Sequence, residues 1–123
     1  MDILARKADA ALNDRYQYGL SSPGQNFGWL ANVSSVTFAY KAIKAVRAGD
    51  LEMVADAVHR GWAKIAMDDY EGKLVLDTPT PDIKKEARKK LAMTAYADLS
   101  EEEKEKDRVI ARVVIQEMAK TMA

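Results

Sequence analysis

The sequence predicts a mainly α fold: a compact single-domain bundle of about five helices spanning 1–123, with at most a short extended segment near 73–77. Three observations carry this expectation. Apolar residues recur at the i, i+3, i+4 spacing of one helix face over five separate stretches. Cap and stop residues such as Asp50, Thr80-Pro81 and Ser100 bound those stretches. A chain of 123 residues, 48% of them hydrophobic, is one domain by length and can bury a core without staples.

The first helix is expected over 2–17, with Leu4, Ala8, Leu12 and Tyr16 on one face and Gly19 ending it. Residues 21–28, rich in Ser, Pro, Gly and Asn, read as a loop that Trp29 and Leu30 close with apolar mass. A second helix starts from Asn32 or Ser34, either of which can cap it, and runs to Ala48. Its buried stripe is Val36, Ala39, Tyr40, Ile43 and Val46. Gly49 stops it and Asp50 caps the third helix at once, which makes a tight helical hairpin.

That third helix, 51–68, turns Leu51, Val54, Ala55, Val58, Trp62 and Ile65 inward. Gly61 inside it costs about 1 kcal/mol of helix propensity relative to Ala, which implies close packing at that spot. Glu71-Gly72 turns the chain into the extended piece at 73–77. Thr80 as cap and Pro81 at the first helical position open a fourth helix, 81–95, with Ile83, Ala87 and Leu91 inward. Ser100 followed by Glu103 is a capping box for the fifth, 101–121. Val109 or Ile110, Val113, Val114 and Met118 form its apolar side.

Composition narrows the function. Lys+Arg and Asp+Glu are both 19, so no global field draws in nucleic acid or an anionic membrane. The chain has no cysteine and one histidine, which leaves no disulfide, no thiolate metal site and no His-based triad. The first turns are charged and no apolar run reaches the ~18 residues a span needs, so a cytoplasmic protein without a signal peptide is expected. No phosphate loop is present: the glycines of 22–28 lack the Gly-Lys-Ser/Thr ending and follow a helix. No catalytic residue, metal or cofactor is assigned.

Three residue sets remain as binding candidates. Trp29, with Phe27 beside it, either covers a core edge or stacks on a planar ligand. Lys104, Arg108 and Arg112 share one face of the last helix at i, i+4 spacing, as a solvated stripe or as a phosphate clamp. Lys84, Lys85 and Arg88 belong to a basic run on the fourth helix, a solvated face or else the contact for an acidic protein partner or an RNA backbone. His59 reads as a polar group at the core edge, hydrogen-bonded by a neighbour, with catalysis as the sharper alternative.

The segments Ala57-Val-His59-Arg-Gly-Trp62 and Tyr96-Ala-Asp-Leu-Ser-Glu-Glu-Glu-Lys-Glu-Lys-Asp107 resemble, in that order, the end of a ryanodine-receptor (RyR) domain. That family has a helix with a His and then an aromatic, followed by a Tyr-x-x-Leu-Ser/Pro-x-x-x-Lys-x-x-Asp/Asn phrase leading into a last helix. The likeness covers roughly the last two thirds of the chain. It carries over His59, Trp62, Tyr96, Leu99, Lys104 and Asp107, with Leu99 and Trp62 as structural positions. Where relatives have Gly-Trp-x-Tyr-Gly, this chain has Met67-Asp-Asp-Tyr-Glu-Gly72 and then the charged fourth helix.

The resemblance implies a non-catalytic binding module for a nucleotide-like anionic molecule. Its expected site is Trp29, His59, Tyr96, Lys104, Arg108 and Arg112. A stand-alone copy implies a sensor or a sequestering protein, the latter fitting phage-encoded relatives. The alternative is a protein–protein interaction or assembly module, homo-oligomeric or not. It would use the basic helix 81–95 together with Met93, Met118 and Met122.

Overall fold

Helices form where the apolar periodicity places them, and they assemble in the order α1 (Asp2–Tyr16), α2 (Phe27–Val46), α3 (Leu51–Tyr70), α4 (Asp82–Ala92) and α5 (Glu101–Met122). A 3-10 turn at Tyr96–Asp98 precedes α5. The structure, a computed structural model, describes residues 1–47 and 50–122, with the side chain of Met122 excepted. The expected helix end at Ala48 and stop at Gly49 lie outside the described residues. The chain is a compact, all-α single domain, and no strand occurs among the described residues. The segment at 73–77 is coil, held to the first loop by one bond from the Asp77 N–H to the Gln25 carbonyl, 2.8 Å.

The α2–α3 pair is the backbone of the bundle, and α3 also packs on α4 and α5, while α1 lies against α5 and α2. At its crossing the two backbones nearly touch at Gly61. A Cβ there would sit 2.6 Å from the Ser34 carbonyl oxygen and 2.8 Å from the Ser35 Cα. The Ser34 hydroxyl donates to the Gly61 carbonyl at 2.7 Å, and the Ser35 hydroxyl to the Val58 carbonyl at 3.2 Å. Close approach is what the helix gains for the propensity that glycine costs. Val36, Ala39, Val54, Ala55, Val58, Ala111 and Val114 fill the core around that seam.

Two caps form as the sequence reads. The Asp50 carboxylate accepts the Met53 N–H at 3.0 Å, and the Ser100 hydroxyl accepts the Glu103 N–H at 3.2 Å.

Several expectations are corrected. Helix α1 ends at Tyr16, with Gln17 in the left-handed region (φ 57) bonding back to Asn13, so Gly19 lies beyond the stop. Helix α2 begins at Phe27, not near Asn32 or Ser34, because Asn26 caps it by accepting the Trp29 N–H at 2.8 Å. Gly28 stays in its first turn, where a Cβ would collide with the Ser21 hydroxyl at 2.8 Å. In α4, Pro81 itself is the cap, and the helix buries no residue. Ile83 is 85% exposed and Ala87 is exposed, while Arg88, Lys89 and Leu91 face the protein. Met118 is buried, as the apolar side of the last helix requires, so it does not join Met93 in an adaptable surface, and Trp62, expected inward, is only partly buried.

Candidate functional site

A cavity of about 510 Å³ opens between α4, the loop after α1, and the inner faces of α2, α3 and α5. One wall is aromatic. His59 and Trp62, three residues apart on α3, stack with ring centroids 6.2 Å apart and planes 16° apart. Phe27, brought in by the first turn of α2, meets Trp62 edge-on at 6.1 Å. The Arg88 guanidinium of α4 lies over the Phe27 ring, 3.7 Å from its centroid.

Arg88 is under-satisfied. Among the described residues its only hydrogen bond is a long one, 3.4 Å to the Thr80 hydroxyl. Its nearest carboxylate oxygen, Asp69 Oδ2, is 3.9 Å away, is buried, and has no hydrogen-bond partner of its own. Burial lowers the Arg88 pKa, with Asp69 pulling the other way. A guanidinium carries five N–H donors, so most of this one's capacity is unspent inside a cavity.

The opposite wall is polar. The buried Asp9 carboxylate accepts the Ser21 N–H at 2.9 Å and the Asn32 amide at 3.2 Å, tying the first loop to α1 and α2. On α5, Asp107 faces His59: Asp107 Oδ2 and His59 Nδ1 are 3.7 Å apart, too far for a direct hydrogen bond. Burial first, then repulsion from Glu103 and Asp56, push the Asp107 carboxyl up to about 8 against the pull of Lys106. At neutral pH this carboxyl therefore holds its proton. Glu103 is paired with Lys106 at 3.2 Å. Asp107 and Glu103 thus add little free negative charge to the cavity.

The sequence-derived candidates divide between this cavity and other places. His59 lines it, and so does Arg88, turned inward from the set Lys84, Lys85 and Arg88; Lys84 is exposed on the outer face. Trp29 is buried in the core, with the Arg6 guanidinium 6.0 Å from its ring. Tyr96 is buried too, and its hydroxyl donates to Glu52 at 3.2 Å; burial and the Glu52 charge push its pKa up to about 12.

Arg108 grips Glu52 through two bonds of 2.8 Å and Glu101 through one of 3.0 Å. Arg112 bonds Glu105 at 2.9 Å, and Lys104 lies 3.8 Å from Glu101. The stripe of three cations is real, but carboxylates of the same chain occupy it, and Glu101, Glu102 and Glu105 wall the groove beside it. Trp62, Asp9, Lys106 and Asp107 are cavity residues that reading for binding groups alone passes over. Trp62 and Asp107 carry a signal, the i, i+3 pairing with His59 and the place at the end of the 96–107 segment, whereas Asp9 and Lys106 carry none.

In class, the molecule is an all-helical domain with a half-enclosed cleft walled by aromatic rings. No protein-family model, no curated protein and no solved structure matches the chain. No helix of the structure is long and apolar enough to cross a membrane.

Proposed function

We propose that this chain is a non-catalytic module that binds a small planar anion of nucleotide type in the cleft between α4 and the rest of the bundle. One observation carries the reading: Arg88 sits half-buried over Phe27 with most of its donors unspent, beside the stacked pair His59 and Trp62. A ring slides along the aromatic wall while its phosphate or carboxylate takes the guanidinium bidentately. About 510 Å³ is the size of cavity that small-molecule sites use, and a mononucleotide is of that scale. The RyR-like reading belongs to the same proposal. Of its six carried positions, His59, Trp62, Leu99 and Asp107 line the cleft, which supports it. A sensor or a sequestering protein is the role such a module would have.

The test is calorimetry across mono- and dinucleotides, cyclic ones included. At least one member should bind, and Arg88→Ala should weaken it by about 1.5–3 kcal/mol, the usual worth of hydrogen bonds to a charged group. Arg88→Lys should not restore it fully, since an ammonium cannot imitate the planar fork. Arg108→Ala with Arg112→Ala should leave affinity unchanged. No heat from any member overturns the reading.

A second reading has its own observation. Ile83 is 85% and Met93 70% exposed on or just after α4, next to exposed Lys84, which supports an assembly or partner-docking face. A concentration-dependent mass on size exclusion, abolished by Ile83→Glu, together with blank ligand screens, would favour it.

A further inference from the structure

The geometry between His59 and Asp107 points to a more definite ligand, and we infer that this pair seats an amino group carried on the edge of a planar heterocycle. The inference rests on the binding role proposed above for the cleft. It begins with the imidazole tautomer. His59 Nε2 is 2.7 Å from the Thr94 carbonyl oxygen, an atom that can only accept, so Nε2 carries hydrogen. The neutral ring therefore has a bare lone pair on Nδ1.

That lone pair faces Asp107 Oδ2 across a gap of 3.7 Å, which neither atom closes. The groups acting on the Asp107 carboxyl, Glu103, Lys106 and Asp56, do so as charges rather than as hydrogen-bond donors. The 3.7 Å gap is too long for Oδ2 to donate to Nδ1, so we place the carboxyl proton on Oδ1, which leaves Oδ2 and the bare Nδ1 as two acceptors side by side in the lining of the cleft. A donor with two hydrogens can sit at about 2.9 Å from both, the ordinary N–H···O and N–H···N distance.

Orientation selects the kind of donor. The Nδ1 lone pair lies in the plane of the imidazole, and that plane is within 16° of the indole of Trp62. A ligand ring that lies coplanar with the imidazole as it donates to Nδ1 is within about that angle of the indole plane, and so has the orientation that stacking on Trp62 needs. An sp² amino group on an aromatic ring satisfies both demands together. An alkylammonium meets only the first, and a ring bearing a carbonyl at that edge sets oxygen against two acceptors.

Matched nucleotide pairs decide it: AMP against IMP, GMP against XMP, and CMP against UMP, titrated into the whole chain by calorimetry. For the base type that fits, the amino member should bind at least tenfold tighter than its oxo counterpart. N6,N6-dimethyl-AMP, which keeps the ring and loses the donors, should bind like the oxo member if adenine is the base. Asp107→Asn should reduce the preference to less than threefold, because an amide NH₂ turned toward Nδ1 sets a donor against the incoming amino group. Imidazole ¹⁵N shifts of the free protein should show hydrogen on Nε2 of His59 alone.

Binding without an amino preference, a preference that survives Asp107→Asn, or a hydrogen on Nδ1 with Nε2 bare would each overturn this inference and leave the binding role standing. Silence from every nucleotide would overturn both.

Discussion

Two clusters of charge flank α5, and they are built in contrasting ways. Around Arg108, each charge has an opposite partner close by: Glu52 at 2.8 Å, Glu101 at 3.0 Å, and Glu105 for Arg112 at 2.9 Å. Around Asp107 the groups are buried and their nearest opposites stand off, 3.7 Å for His59 and, across the cleft, 3.9 Å between Arg88 and Asp69. The first cluster spends its hydrogen-bonding capacity on its own chain. The second keeps capacity in reserve inside a cavity, at a cost in desolvation. Cationic residues at helical spacing therefore say little about binding until their partners are counted.

The largest expected effect lies in the second cluster. Folding raises the Asp107 carboxyl from 3.8 to about 8, so between those values the folded chain holds a proton that the unfolded chain has released. Its contribution to stability is fully present below about pH 4 and drains as the pH climbs to about 8, with a slope approaching ~1.4 kcal/mol per unit. Asp107→Asn cannot ionise and should exceed the parent by several kcal/mol at pH 8.5, read from urea midpoints, while differing little at pH 4. Parallel pH profiles would mean that Asp107 is ionised in the folded chain. Glu52 behaves oppositely: Arg108 lowers its pKa, so its contribution is present above the ordinary carboxylate range and is lost as pH falls.

Next in size is the seam that holds both clusters in place. Gly61→Ala puts a methyl group 2.6 Å from a backbone oxygen that cannot step aside, so a loss of at least the ~1–3 kcal/mol typical of overpacking should appear in urea melts. A neutral or stabilising result would mean that α2 and α3 can separate without cost.

The smallest effect tests the closed cluster. Tyr96→Phe removes the 3.2 Å bond to Glu52 and should cost about 0.5–1.5 kcal/mol in the same melts, with nucleotide affinity unchanged. Any change in affinity would join the two clusters into one site.

What was legible in the sequence was local. The caps at Asp50 and Ser100 act within three residues, and Gly61 announces its own contact by violating helix propensity. The start of α2 was hidden because Gly28 reads as a breaker until Ser21 is seen packed against it. Helix α4 was turned the wrong way for a related reason. Apolar spacing assigns Ile83 inward, yet the inner face is cationic and rests on rings, Arg88 over Phe27 and Lys89 over Tyr70 at 4.2 Å. Helical spacing alone shows the shared face of Lys104, Arg108 and Arg112, but Glu52, 56 residues before Arg108, leaves no local sign of being its partner. The cleft itself depends on tertiary placement of α4, which no local pattern encodes.

The cleft has one wall that cannot yield and one that can. Locked backbone to backbone at Gly61, α2 and α3 carry Phe27, His59 and Trp62 as a single fixed jaw. Facing them, α4 buries no residue and leans on two aromatic rings through the stems and heads of Arg88 and Lys89. Under the proposed binding role, how tightly a guest is held depends on the fixed jaw and Arg88. Under that role, how long it would stay depends on α4, an eleven-residue helix that buries no residue and meets the core through Leu91.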